Sequence, residues 1–468
     1  VLADRNQSNE LESILTDIGF KRFIAPPLRR YPGIEDFLGF DAESGRIVHL
    51  HLHYELTIGE QHLKGYHAPW EAEVLKTRLF DPEHGIFVAS PAAELLLLLV
   101  RTALKRRWRD PLRKLIARHD TTKKSDFERE FDFLSVRADR SETAVMAIRL
   151  LGLGGSKHLQ HLLLKPKSSE RCRKFASALR TDLQVHRTYG RLEAAIRAWI
   201  REFQWLLDGL SRRYLHQATP RRRISPRGGT TIVLLGCDGA GKSTQSKMLI
   251  EWLGKKLDVI PIYFGSGDGP SSFYRLPLRW ALRLIGTGPS GKNGDKPNPG
   301  PTEERQRRLP ELATIKTQLQ AAARPIWALL LALEKRGKIR RMVRARNRGM
   351  AVVCDRFPQS DVIGFNDGPL LEPWRKHRWR LCRWLADWES QPYASAAQTQ
   401  PDLVLRMIVD PAVAKQRAPE MTLEELRRRF TAVKSIRFPG ATTVIDINAD
   451  ATVDEVTATI KRLVWNRL

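Results

Sequence analysis

Cysteine is scarce in this chain: Cys172, Cys237, Cys354 and Cys382 are the only four in 468 residues. Their spacing matches no zinc site, and four thiols are too few to staple a chain of this length. A disulfide framework is therefore excluded, and a reducing, cytoplasmic compartment is the expectation. Long apolar runs are missing as well. The longest, 95–100 and 326–333, fall far short of the ~18 residues of a membrane span and read as pieces of buried helices. The first residues carry no signal-peptide pattern, and no internal repeat is present. Acidic residues are in deficit, 52 against 79 Lys plus Arg, which leaves a formal net charge of +27. Such a surplus points to an anionic partner, whether nucleic acid, an anionic membrane surface or a small phosphorylated ligand. Basic residues gather at 105–109, 221–223 and 335–348. They lack the interleaved aromatics of a single-strand stacking platform, and no zinc-finger or RNA-binding signature accompanies them. Solvated helix faces that steer phosphate are the favoured reading and nucleic-acid binding the alternative. With 42 % hydrophobic and 28 % charged residues the chain is globular, and long enough for two or three domains.

What is there is a phosphate-binding loop. Gly236-Cys237-Asp238-Gly239-Ala240-Gly241-Lys242-Ser243, followed by Thr244, has the spacing Gly, four residues, Gly-Lys-Ser. Glycines let the backbone turn back so that successive N–H groups face phosphate oxygens. Lys242 would reach the β- and γ-phosphates, and the Ser243 hydroxyl would hold Mg²⁺. Upstream, Thr231-Ile232-Val233-Leu234-Leu235 reads as a buried parallel strand. Downstream, Met248, Leu249, Trp252, Leu253 and Leu257 recur at helical spacing, so the loop opens onto a helix N-terminus with its partial positive charge. ATP with Mg²⁺ is the expected cofactor pair.

A triphosphate site needs a second strand that brings a carboxylate to the metal. Met350-Ala351-Val352-Val353-Cys354-Asp355-Arg356-Phe357 supplies one. Asp355, at the carboxyl end of a parallel strand, is expected at the crevice where open α/β sheets bind ligands. It could join the Mg²⁺ shell or accept the acceptor's proton, and the planar fork of Arg356 could grip an anionic group. A third strand follows at 401–411, then an arginine-bearing helical segment. Arg417 and Arg427, the latter in the cluster Arg427-Arg428-Arg429, are the candidates to neutralise a migrating phosphoryl group. A last strand at 443–448 and a last helix at 453–465 close the chain.

GCDGAGKST, the VVCDRF strand end, PDLVLRMIVDPAVAKQRAPE and VIDINADATVDEV stand in the order seen in thymidylate kinases, which residues 231–468 resemble. The resemblance implies ATP- and Mg²⁺-dependent transfer of a phosphoryl group to a nucleoside monophosphate. It implies that the Asp355-Arg356 pair lies at the acceptor's phosphate. Some members carry a catalytic arginine within the loop; here that position is Gly239, so the charge should come from Arg417 or from 427–429. Two departures bear on the acceptor. After the strand at 259–264 the family's Glu-Pro-Gly-Gly-Thr stretch is replaced by Gly265-Ser266-Gly267-Asp268-Gly269-Pro270. Much of the thymine-recognising helix gives way to a Gly/Pro-rich insertion at 286–301 and the basic helix at 335–348. The chemistry carries over better than the acceptor.

In the front half, Leu192, Ile196, Trp199, Ile200, Phe203, Leu206, Leu207 and Leu210 repeat at three- and four-residue steps, an amphipathic helix. His49, His51 and His53 alternate with aliphatic residues and share one face of a strand. No carboxylate or cysteine partner is evident nearby, and polar exposure is favoured over metal binding. The VLADR start, Ile18-Gly19-Phe20, VHLHLHYEL and Pro91-Ala92-Ala93-Glu94-Leu95 resemble nucleotidyltransferase-like domains. The resemblance implies paired carboxylates that residues 1–5 do not supply and a third acid where His51 stands; either the chain starts after the acidic motif or this is a degenerate, noncatalytic relative, and recognition or scaffolding is the expected role. The full expectation is an α/β protein: an α+β domain at 1–105, a helical region at 106–215, a linker at 216–229 and a parallel-sheet phosphate-loop kinase fold at 230–468. The expected activity is transfer of the ATP γ-phosphate to a nucleotide or other small anionic acceptor. The alternative is an ATPase or switch with a basic surface for nucleic acid or another polymer. A homodimer is a further open expectation.

Overall fold

The computed structural model describes residues 1–59, 63–104, 126–164, 177–265, 303–362, 368–438 and 440–468. The basic cluster at 105–109, Cys172, the stretch at 266–270 and the insertion at 286–301 lie outside the described residues. The chain divides into two compact units, one of Val1–Phe40 with Ile47–Leu215, the other of Asp41–Arg46 with His216–Leu468.

In the first unit, strands β1 (Lys21–Phe23), β2 (Ile34–Asp41) and β3 (Arg46–His53) form a three-stranded sheet in that order. Helix α1 (Ser8–Asp17) packs on it through Leu15, which meets Phe37, Leu52 and Tyr54 in a small core. Two hairpins follow, β4 (Leu56–Ile58) with β5 (Tyr66–Ala68), then, after the short helix α2 (Glu71–Lys76), β6 (Leu79–Asp81) with β7 (Ile86–Val88). Helices α3 (Pro91–Leu104), α4 (Asp126–Arg137), α5 (Arg140–Leu164) and α6 (Arg191–Tyr214) follow among the described residues. Helix α3 is apolar almost all round and correspondingly buried; its Leu95, Leu96 and Leu99 share a core with Leu134 of α4 and Met146 and Leu151 of α5. The three histidines of β3 do share a face, and a carboxylate does reach them: Asp36 of neighbouring β2. Its Oδ1 lies 2.7 Å from His49 Nε2 and 3.9 Å from His51 Nε2. Cross-strand pairing supplied a partner that linear sequence hid. The four groups do not gather at a common point. The close group of potential metal ligands among the described residues is instead Asp81, Glu83 and His84, at the turn of the exposed β6–β7 hairpin.

The second unit is an all-parallel five-stranded sheet flanked by helices, an α/β phosphate-loop-like fold. Strands β8 (Thr231–Gly236), β9 (Val259–Tyr263), β10 (Ala351–Asp355), β11 (Leu403–Ile408) and β12 (Thr443–Asn448) lie in the order β12-β11-β8-β10-β9. Parallel neighbours require crossovers. Helices α7 (Lys242–Gly254), α8 (Glu303–Asn347), α9 (Arg380–Gln398), and α10 (Pro411–Arg417) with α11 (Leu423–Ser435) supply them; α12 (Val453–Arg467) closes the chain. The central strands, covered on both faces, are the continuous apolar runs of the sequence: Thr231 to Leu235 and Ala351 to Asp355 are buried throughout. Pro261, which cannot donate to a ladder, sits exposed on β9, an edge strand. Val233, Ile260, Val352 and Cys354 pack under Ile339, Met342 and Ala345 of α8 in one core.

The segment 216–229 is tied to this unit. Asp258 Oδ2 accepts from the Arg222 amide at 2.9 Å, the Ser225 amide donates to Gly349 O, and Arg348 donates to Ala218 O. The basic run of α8 is divided. Lys335 is buried and donates to Tyr393 Oη at 3.1 Å, while Arg346 pairs with Asp402 at 2.7 Å. Arg336, Arg340 and Arg344, spaced four apart, form its exposed stripe. No helix among the described residues is long and apolar enough to cross a membrane.

Candidate functional site

Chain direction reverses around β8. From it the chain crosses over β10 to reach β9, and after β10 it returns to the other side of β8 to form β11. A crevice opens at the carboxyl ends of strands at such a switch point. The loop Cys237–Gly241 stands there, between β8 and the first turn of α7. Gly239 and Gly241 take φ of 81° and 79°, the left-handed region that favours glycine. They differ in space. A Cβ on Gly239 would meet Ala414 O at 2.6 Å, whereas one on Gly241 would meet nothing within 4 Å. Helix α10 therefore abuts the loop, and a side chain at 239 would require Ala414 O to shift.

Lys242 opens α7, is buried, and donates from Nζ to Cys237 O at 2.6 Å. Burial pushes its ammonium below the ordinary lysine range, and Arg356 pushes the same way against the carboxylates of Asp238 and Asp355. Ser243, next on the helix, donates from Oγ to Asp355 Oδ2 at 2.9 Å. The other oxygen of Asp355, Oδ1, is buried without a hydrogen-bond partner. A buried carboxylate oxygen left in that condition is costly unless something else satisfies it. A hydroxyl and a carboxylate oxygen in this arrangement fit a small hard divalent cation such as Mg²⁺, which takes one or two protein oxygens and keeps other positions for water and phosphate. Thr244 is exposed one residue further along α7, and the Cys237 thiol is pushed upward by burial.

Asp238 gathers the cations. Its Oδ1 accepts from an Arg356 guanidinium nitrogen at 3.0 Å and lies 3.9 Å from Lys242 Nζ; its Oδ2 is paired with Arg429. Arg356 follows β10 with φ of 68°, an unusual backbone for a non-glycine residue. Its amide still donates to Leu234 O at 3.1 Å, so the turn is pinned to β8 while the side chain reaches the loop. Arg429 comes from α11, a helix capped by the Thr422 side chain, and is steadied by Glu425 one turn back at 2.9 Å.

The structure thus brings together 236–243, Asp355 and Arg356. The two arginines singled out beyond the third strand stand elsewhere. Arg417 donates to Ala449 O at 2.9 Å, beyond the end of β12. Arg427 is exposed and, among the described residues, its side chain makes no hydrogen bond. From this segment it is Arg429 that reaches the loop. Two residues apart on a helix is about 200°, so when Arg429 faces the loop Arg427 faces away. The sequence signal that could have separated them is phase: Leu426, Val433 and Ala432 are the buried positions of α11, and Arg429 lies between them along the helix.

No family model matches the chain. It is similar to "Uncharacterized ATP-binding protein YghR" of Escherichia coli (strain K12), 27 % identical over 232 residues that cover 48 % of this chain and 82 % of the relative. The protein of the same name from Escherichia coli O6:H1 gives the same figures. "Uncharacterized ATP-binding protein YghS" of Escherichia coli (strain K12) is 25 % identical over 227 residues, covering 48 % of this chain and 88 % of that protein.

Proposed function

We propose that the second unit binds ATP and transfers its γ-phosphoryl group to a small anionic acceptor, a nucleotide being the favoured class. The observation that carries this reading is the convergence of Lys242, Ser243, Asp355, Arg356 and Arg429 around one loop. The relatives' names, as ATP-binding proteins, support the donor. Amides of 237–243 and the buried ammonium of Lys242 would receive the donor phosphates. Ser243 and Asp355 would hold Mg²⁺, which when bound neutralises phosphate charge. Arg356 and Arg429 now satisfy the Asp238 carboxylate, and the same forks suit phosphate oxygens. They would orient the acceptor and take up charge as the P–O bond to the departing ADP breaks and the bond to the acceptor oxygen forms.

The test is incubation of the full chain with ATP, Mg²⁺ and a panel of nucleosides, nucleoside monophosphates and sugars, read by mass spectrometry. A phosphorylated acceptor is the expected product. Free phosphate alone, together with a salt-sensitive mobility shift on DNA or RNA, would favour an ATPase with a nucleic-acid surface instead.

A further inference from the structure

Helix α6 is turned inside out. Leu192, Ile196, Trp199, Phe203, Leu206 and Leu210 follow one another at steps of 4, 3, 4, 3 and 4 residues, and each is 46–81 % exposed. The opposite side, with Ala194 buried and Arg201, Trp205 and Asp208 half-buried, is the covered one, and those last three have partners. An ordinary surface helix does the reverse and lays its apolar stripe on its own core.

We propose that this face is a dimer interface, on which a second copy of the chain lays its own α6 in a two-fold helix pair. Two observations favour that occupant. The first is charge. Glu193 and Arg197, beside the stripe, pair with each other at 2.8 Å, so two identical surfaces meet there without net repulsion. The second is area. A helix of this length spans about 36 Å, and its large apolar side chains at roughly half exposure would remove about 700–800 Å² per copy, the size of a standard stable interface. Trp199 and Phe203 stack with ring centroids 5.7 Å apart and planes within 2°, a rigid aromatic platform of the kind that dominates binding energy. Phe203 lies at the middle of the helix, so it meets its own copy whichever way the two helices run.

The proposal is independent of the phosphotransfer reading and is tested on the full chain by sedimentation equilibrium and light scattering. The wild type is expected to be a dimer. Phe203→Glu and Phe203→Lys should each weaken association by about 100-fold or more. Their far-UV circular dichroism should stay native, because the side chain is half exposed, while their melting temperature should lose its dependence on protein concentration. Mixing the two variants should restore a dimer, since Glu and Lys then face each other across the axis. A wild type that stays monomeric at tens of micromolar overturns the proposal. So does a Phe203→Glu protein that remains dimeric, or a monomer that binds phosphatidylglycerol vesicles through this face and loses them on Phe203→Glu.

Discussion

Asp238 holds three cations in reach of one carboxylate, and the single substitutions around it separate roles that a motif lumps together. Lys242→Met removes a buried donor whose charge-assisted hydrogen bonds are worth about 1.5–3 kcal/mol each. ATP-dependent turnover should fall by at least about 100-fold while circular dichroism stays native; unchanged ATP consumption would refute the role. Arg429→Ala should lower kcat by about 10³, the lower range for a transition-state arginine, whereas Arg427→Ala, exposed on the other side of the helix, should change it by no more than a few-fold. Steady-state kinetics on the two variants decide between them. In the first unit, the His53 imidazole is pushed down to about 3 by burial, with His51 and Lys64 adding to it. The unfolded chain therefore takes up this proton first as pH drops below about 6.5. Stability from the neutral ring is complete above that pH and is lost as pH falls toward 3. Thermal melts between neutral and about pH 4 should show the decline, and His53→Gln should flatten it.

At the scale of elements, the loop and the helix beside it form one device. Gly239 and Gly241 share a left-handed backbone, but only Gly239 also touches a neighbouring helix. Ala at 241 should cost about 1–2 kcal/mol, the left-handed penalty alone. Ala at 239 should cost more and weaken ATP binding, because Ala414 O must move from the loop. Chemical denaturation with calorimetric titration of ATP would show the order, and equal losses would remove α10 from the picture. Strands β8 and β10 were legible at this scale because a strand covered on both faces has to be continuously apolar, and both are. The His-bearing face of β3 was legible as a face, but its partner was not: Asp36 is 13 residues from His49 and meets it only through strand pairing.

For the whole molecule, a net charge of +27 sets up a field that should speed the approach of a polyanion such as ATP. Association rates from stopped-flow should fall steeply as ionic strength rises past the point where the screening length is about 10 Å, with a much smaller change in the dissociation rate. A salt-independent association rate would show that the surplus charge lies away from the site. Part of it does: Lys335 and Arg346 of the basic helix have internal partners, while Arg336, Arg340 and Arg344 stand exposed.

The amino-acid order alone determined the α/β class of the second unit, the strand–loop–helix around Lys242 and the placement of Asp355 and Arg356 at a strand end. These depend on local spacing and on the apolar continuity of buried strands. Tertiary structure decided which arginine faces the loop, which carboxylate meets the histidines and which side of α6 is covered. Those depend on helix phase and on pairings between distant segments, and hydrophobic periodicity is blind to them because it marks an apolar face without saying what lies against it.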